Sequence, residues 1–229
     1  MVTRIKICCM QSVGEVELAV RYGAHAVGLV ADMPSGAGIL GDDRLREVGP
    51  HVPPGVSGFL LTRETGPAAV RRQHREARTS AIQFVSRMDP AALEQLREEL
   101  PGIALVQVLH VEDETALAEA RAIEPWVDAL LLDSGRPGAA VPELGGTGRV
   151  HDWDLSARIV AAAGKPVYLA GGLDAGNVGA AIRQVRPFGV DVCSGLRPDG
   201  ALDEVLLSRF VAAVRRADAE LLRPLQGEV

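Results

Sequence analysis

Strand-length apolar runs alternate with helical patterns along this 229-residue chain, which predicts an α/β fold, the (β/α)8 TIM barrel. Three observations carry that expectation. The alternation runs through eight βα units, and eight favour closure into a barrel over an open sheet. No linker, composition shift or low-complexity stretch interrupts it, so residues 1–229 are expected to form a single domain. Glycines stand directly after the last two strands, where barrels of this kind commonly build a phosphate site.

The strands are expected at Thr3–Cys8, His25–Ala31, Val56–Leu61, Ser80–Phe84, Ile103–Leu109, Val127–Leu132, Val167–Ala170 and Gly189–Cys193. Each is short and apolar. The helices that follow them in turn are Val13–Tyr22, Asp43–Val48, Pro67–Ala77, Pro90–Leu100, Glu112–Ile123, Trp153–Ala163, Ala175–Val185 and Leu202–Leu222. The seventh strand stops at Gly171-Gly172. Asp174 or Asn177 can cap the helix after it, whose apolar stripe is Ala180, Ala181, Ile182 and Val185. The eighth strand breaks at Ser194-Gly195. One long interruption, Ser134 to Asp152, is rich in Gly and Pro. Placed after the sixth strand, it is expected at the catalytic end of the barrel as a lid.

Hydrophobic residues make up 47% of the chain and charged ones 24%, an ordinary globular balance. A net charge of −6 gives no basic footprint for nucleic acid or anionic lipid, and no run spans a membrane. A phosphate must therefore be held by local backbone and dipoles. No signal peptide is visible, and three cysteines, two of them adjacent, make no disulfide framework, so a reducing cytoplasm is the expected compartment.

Side chains alternate along the first strand, RIKICCM. Lys6 and Cys8 share one face while Ile5, Ile7 and Cys9 share the other. The apolar set is expected to face the helices, which points Lys6 and Cys8 into the barrel. A lysine one layer below favours the thiolate form of Cys8, the form that acts as base or nucleophile. Asp133 follows three leucines at the end of the sixth strand, where barrel enzymes place catalytic groups, and an apolar setting raises a carboxyl pKa toward that of a general acid. The eighth strand adjoins the first in a closed barrel, so Asp191 is expected to pair with Lys6. Gly171, Gly172, Ser194 and Gly195 form an expected anion cradle of backbone N–H groups. In the long loop, Gly146, Thr147 and Arg149 can add ligand contacts, with His151 nearby.

KIC near the start, LLLDS, GGTGR followed by DW, LAGGL with Asn177-Val178, and FGVDVCSGL resemble the phosphoribosylanthranilate isomerase family of tryptophan biosynthesis. The resemblance runs in order through nearly the whole chain. It implies a cofactor-free (β/α)8 enzyme of amino-acid biosynthesis that carries out an Amadori rearrangement of an aminoaldose phosphate to an aminoketose phosphate. By resemblance, Cys8 is the general base at the sugar C2′, Asp133 is the general acid at the ring oxygen, and Gly171, Gly172, Ser194 and Gly195 hold the phosphate. Gln83, Lys6 and Asp191 are supporting positions. The chain is expected as a monomer or homodimer with a small-molecule sugar phosphate as substrate.

The departures fall at one end of the substrate. The family usually has glycine after its cysteine, where Cys9 stands here. After the second strand it usually has Ser-Pro-Arg or Ser-Lys-Arg, and this chain has Ser35, Gly36, Ala37 and then Gly38, a remodelled substrate loop without the arginine. Its fourth strand usually ends Gln-Leu-His-Gly, and here Gln83-Phe84-Val85-Ser86 stands. The departures put the substituent on the sugar in question, not the sugar phosphate.

Other readings are weaker. Gly36 to Gly41 matches G-x-G-x-x-G, but it lies in the second βα unit, with Pro34 between it and the strand, so a dinucleotide is not expected. Histidines at 25, 51, 74, 110 and 151 show no ligand spacing, so no metal is expected. Two alternatives of other classes remain on the same fold: a lyase or aldolase using Lys6 as a Schiff base, and a non-catalytic sugar-phosphate binder.

Overall fold

The computed structural model describes residues 2–33, 38–135 and 151–222. Within them, β1 (Arg4–Ile7), β2 (Ala26–Val30), β3 (Ser57–Thr62), β4 (Ala81–Phe84), β5 (Ala104–His110), β6 (Ala129–Asp133), β7 (Val167–Leu169) and β8 (Gly189–Val192) pair in parallel in sequence order, and β8 returns to β1 to close the barrel. The helices that follow these strands are α1 (Val13–Arg21), α2 (Asp42–Val48), α3 (Pro67–Ala77), α4 (Pro90–Glu99), α5 (Thr115–Ile123), α6 (Trp153–Ala162), α7 (Val178–Val185) and α8 (Glu204–Leu222).

Alternation along the strands sorts the core into two shells. Ile5, Ile7, Leu60, Ile82, Leu130 and Val190 face outward and pack with the helices. Ala26, Phe59, Leu61, Ala81, Val106 and Tyr168 face inward. The floor of the interior is aromatic: Tyr168 meets Phe59 and Phe188 edge-on at centroid distances of 5.8 and 5.3 Å.

Three helices start later than their apolar pattern does; α8 begins at Glu204, not Leu202, and α5 and α7 show the cause most plainly. Asp113 Oδ1 accepts from the Thr115 amide at 2.8 Å, and α5 begins at Thr115, not Glu112. Asp174 Oδ1 accepts from the amides of Gly176 and Asn177, and α7 begins at Val178, not Ala175. In these two a short acidic side chain offers the backbone a turn in place of helix.

Cys9 departs from its expected place. The alternation assigned it to the helix-facing side, but it has φ of +66° and is buried with Cys8 in the inner cluster. A left-handed residue ends the strand's two-residue period, so the next side chain need not point outward. Cys9 is joined to Cys193 across the β1–β8 seam, with 6.1 Å between their Cα atoms, a single disulfide where the count and spacing of the cysteines suggest no framework. Cys8 is the free, buried cysteine.

Candidate active site

The C-terminal ends of the strands form the mouth. Lys6 is fully buried and donates from Nζ to Asp191 Oδ2 at 2.8 Å, the pairing that strand adjacency implies. Its ammonium also lies 5.2 Å from the Phe59 ring centroid. Burial is the largest single influence and pulls the lysine pKa down, but the Asp191 charge and hydrogen bond, with the charges of Cys8 and Tyr168, together outweigh it and the net direction is up. A lysine held protonated in this way is a poor Schiff-base nucleophile, which weighs against the lyase reading.

Cys8 lies one layer above Lys6. The Cα of Gly28 on β2 leaves the room its sulfur occupies: a Cβ at Gly28 would lie 2.7 Å from Cys8 Sγ. A glycine inside a strand commonly marks such a close approach. The expectation that Lys6 makes Cys8 a ready thiolate is corrected. Burial pushes the thiol up to about 11, and the pull of Lys6 is opposed by the Asp191 charge beside it.

Asp133 ends β6 in register with His110 at the end of β5. The inward pair Val108 and Leu131 lies two residues earlier on the same strands, so His110 and Asp133 also face the mouth. Burial drives the Asp133 carboxyl pKa up, against the Ser134 amide, which donates to Asp133 Oδ1 at 2.7 Å, and against the charges of His110 and Lys6. The charges of Lys6 and Asp191 act on both Cys8 and Asp133, so the ion pair links the β1 side of the mouth to the β6 side.

The glycines after β7 and β8 are held tightly. Gly171 has φ of +82°, and a Cβ there would lie 2.9 Å from the Ser134 nitrogen. Gly172 also has positive φ, and its carbonyl accepts from Asn177 Nδ2 at 2.7 Å. A Cβ on Gly195 would lie 2.1 Å from the Leu173 carbonyl oxygen. Ser194 opens a single 3-10 turn, Ser194–Leu196, whose first amides have no acceptor inside the turn. The β7 turn therefore abuts both the Asp133 strand end and the β8 turn.

Gln83 is buried on β4 on the inward side, and its Oε1 has no partner among the described residues. Gly38 packs on Cys9: a Cβ there would lie 2.6 Å from the Cys9 carbonyl oxygen. Ser35, Gly36, Ala37, Gly146, Thr147 and Arg149 lie outside the described residues, as does nearly all of the expected lid.

Three residues at this end escaped the sequence reading. Gly28 was readable as a mid-strand glycine. His110 obeys the strand-end rule that singled out Asp133. Arg197, also buried, donates to Glu15 at 2.7 Å and to the Cys8 carbonyl at 3.5 Å, tying the loop after β8 to the end of β1. Burial pushes the Glu15 carboxyl pKa up, but the Arg197 hydrogen bonds and the Gln11 and Leu202 amides outweigh it and hold the pKa low.

Among the described residues no helix is long and apolar enough to cross a membrane. The family model described as N-(5'phosphoribosyl)anthranilate (PRA) isomerase matches residues 5–213. The chain is 36% identical over 217 residues to N-(5'-phosphoribosyl)anthranilate isomerase of Haloferax volcanii, covering 94% of each chain. It is 32% identical over 214 residues to that of Methanocella arvoryzae, covering 93% of this chain and 98% of the relative. The solved structure of phosphoribosyl anthranilate isomerase from Thermotoga maritima superposes with a TM-score of 0.81 at 25% identity, over 94% of this chain and 100% of that one.

Proposed function

Because this chain belongs to the N-(5'-phosphoribosyl)anthranilate isomerase family and is an isomerase of that type acting on a sugar phosphate, we propose that it converts an N-substituted aminoaldose phosphate to the aminoketose phosphate with Cys8 as base and Asp133 as acid. Asp133 gives its proton to the furanose ring oxygen, and the ring opens to an iminium. Cys8 as thiolate takes the C2′ proton, leaving an enol-amine that becomes the ketone. The Gly171–Gly172 and Ser194–Gly195 turns hold the phosphate. One observation carries the reading: Cys8 and Asp133 face the same mouth and feel the same buried Lys6–Asp191 pair, with the Gly171 turn packed against Ser134 beside the acid.

The pKa directions fix the form of the pH profile. The active form needs a thiolate with a protonated carboxyl, one proton between the two groups. A buried carboxyl, even well raised, titrates below a thiol at about 11. The one-proton state therefore spans the range between the two titrations. The profile of kcat/KM falls below the Asp133 titration, where both groups hold protons, and above that of Cys8.

Turnover of phosphoribosylanthranilate by the purified protein tests the reading. Formation of the aminoketose phosphate supports it, and a KM near the usual range removes the altered-substituent half. No turnover of this or any N-aryl aminoaldose phosphate overturns it.

A further inference from the structure

We propose that His110 is a positioning residue for Asp133, a partner on the neighbouring strand that sets where the acid holds its proton. The proposal rests on the reading of Asp133 as general acid.

The register places the two residues side by side on β5 and β6, and adjacent strands lie about 4.8 Å apart. Both point into the mouth, two residues beyond the inward pair Val108 and Leu131. The ring is tethered: His110 Nε2 lies 3.2 Å from the Val85 carbonyl oxygen. A carbonyl only accepts, so Nε2 carries a proton, and in the neutral ring Nδ1 is a bare acceptor. That Nδ1 is buried and has no partner among the described residues. A buried acceptor without a donor is costly, so this one calls for a partner.

The neighbouring carboxyl is not hydrogen-bonded to Nδ1 in the structure, but it fits that position in both of its states once ring or carboxyl turns toward the other. Protonated Asp133 is an O–H donor to a bare Nδ1. Ionised Asp133 is an acceptor for a ring protonated at Nδ1. The tether stands on Val85, the position at the end of β4 where the family pattern usually has its own histidine, so an imidazole reaches the same end of the mouth from the next strand.

The charged surroundings are few. Lys6 from β1 and Asp191 from β8 act on Asp133 with opposite signs, and they neutralise each other through their own contact at 2.8 Å. Arg87, Glu112, Asp113 and Glu119 line, with His110, a cavity of about 490 Å³ between the β4 and β5 ends and α5. Arg87 and Glu119 pair at 3.3 Å. Neither Cys8 nor Asp133 lines that cavity, so its acids are set apart from the reacting end.

The test uses His110→Gln, which keeps an N–H for the Val85 carbonyl and cannot become a cation. His110→Asn, also uncharged but shorter, repeats it with different packing. The Asp133 carboxyl is titrated by NMR in protein carrying carboxyl-13C aspartate, with Asp133→Asn to assign its signal, and the acid limb of kcat/KM is measured on the same samples. Of the ring's two possible effects, the charge that favours the carboxylate is the one that acts in the described geometry, where no hydrogen bond joins Nδ1 to Asp133, and the substitution removes it. The Asp133 midpoint and the acid limb are therefore expected to move together to higher pH, by about one unit. A midpoint and limb that stay within about 0.2 unit, or a rate change without a titration change, overturn the proposal, since a packing role moves neither. Asp133→Asn separates the two readings. If it is inactive while His110→Gln titrates normally, only the role of His110 falls. If it keeps wild-type turnover, the reading of Asp133 as acid falls, and the NMR midpoint still judges the pairing.

Discussion

The ends of β1 and β6 are built in contrasting ways. At the end of β6, Asp133 keeps the strand's alternation, accepts from the next amide in the chain and sits beside a histidine in register. At the end of β1, Cys9 abandons the alternation with a left-handed backbone, and Cys8 is seated in space left by a glycine on another strand. The acid is positioned by its own strand and the next one. The base is positioned by absence, the missing side chain of Gly28, and by the seam with β8. Both groups are pushed toward their neutral forms by burial. Lys6, the cation one layer below Cys8, is already committed to Asp191. A charge one layer below a thiol does not bring its pKa below the ordinary value when burial and a counter-charge both oppose it.

The seam can be broken first. Asp191→Asn strands the buried Lys6 charge and is expected to cost about 3–5 kcal/mol in denaturant unfolding. It also removes a negative charge that acts on Cys8, so the thiol should titrate below about 11. Unchanged stability and thiol titration would remove the ion pair as the link between the two halves.

Gly28→Ala attacks the base side alone. The new Cβ would overlap Cys8 Sγ and also lie 3.1 Å from Leu61 Cδ1. A displacement of about 1 Å at a reacting atom costs about 100-fold, read as a fall in kcat with little change in KM. An equal rise in KM instead would place Cys8 among the binding groups.

The acid side has its own pH dependence, through His151 just before α6. Its Nε2 lies 2.7 Å from Ser156 Oγ, and burial pulls its pKa down to about 4. Between the ordinary histidine value near 6.5 and about 4, the unfolded chain binds the proton and the folded chain does not. Stability is therefore full above about pH 6.5 and falls as pH drops toward 4, by about 2 kcal/mol after allowance for partial exposure. His151→Gln should flatten that slope in melts at pH 7, 5.5 and 4.5. The smallest effect is expected from Cys9→Gly under reducing conditions. It relieves a left-handed non-glycine residue worth about 1 kcal/mol, seen as a rise in Tm of a few degrees.

The same contrast explains what the sequence could disclose. Barrel closure, the inward face of Lys6, Cys8 and Asp133, and the contact between Lys6 and Asp191 all follow from a two-residue period and the adjacency of first and last strands. They depend on repeating geometry, which a sequence carries. The left-handed turn at Cys9 is a single-residue event without a glycine to mark it, and the link to Cys193 spans 184 residues. The direction of the Cys8 pKa depends on the opposed charges of Lys6 and Asp191 and on the depth of burial, a balance that spacing does not reveal. His110 was legible by the strand-end rule but had been weighed only as a metal ligand. The late starts of α5 and α7 came from Asp113 and Asp174, whose side-chain turns compete with the apolar pattern that otherwise marks a helix.

The account stands most directly on turnover by Cys8→Ala and Asp133→Asn, measured side by side with the affinity of each protein for inorganic phosphate. The prediction is a fall in kcat of about 10²–10⁴-fold in each variant, with phosphate binding within twofold of the unaltered chain. Wild-type kcat in either variant would contradict the assignment of proton transfers to these two residues.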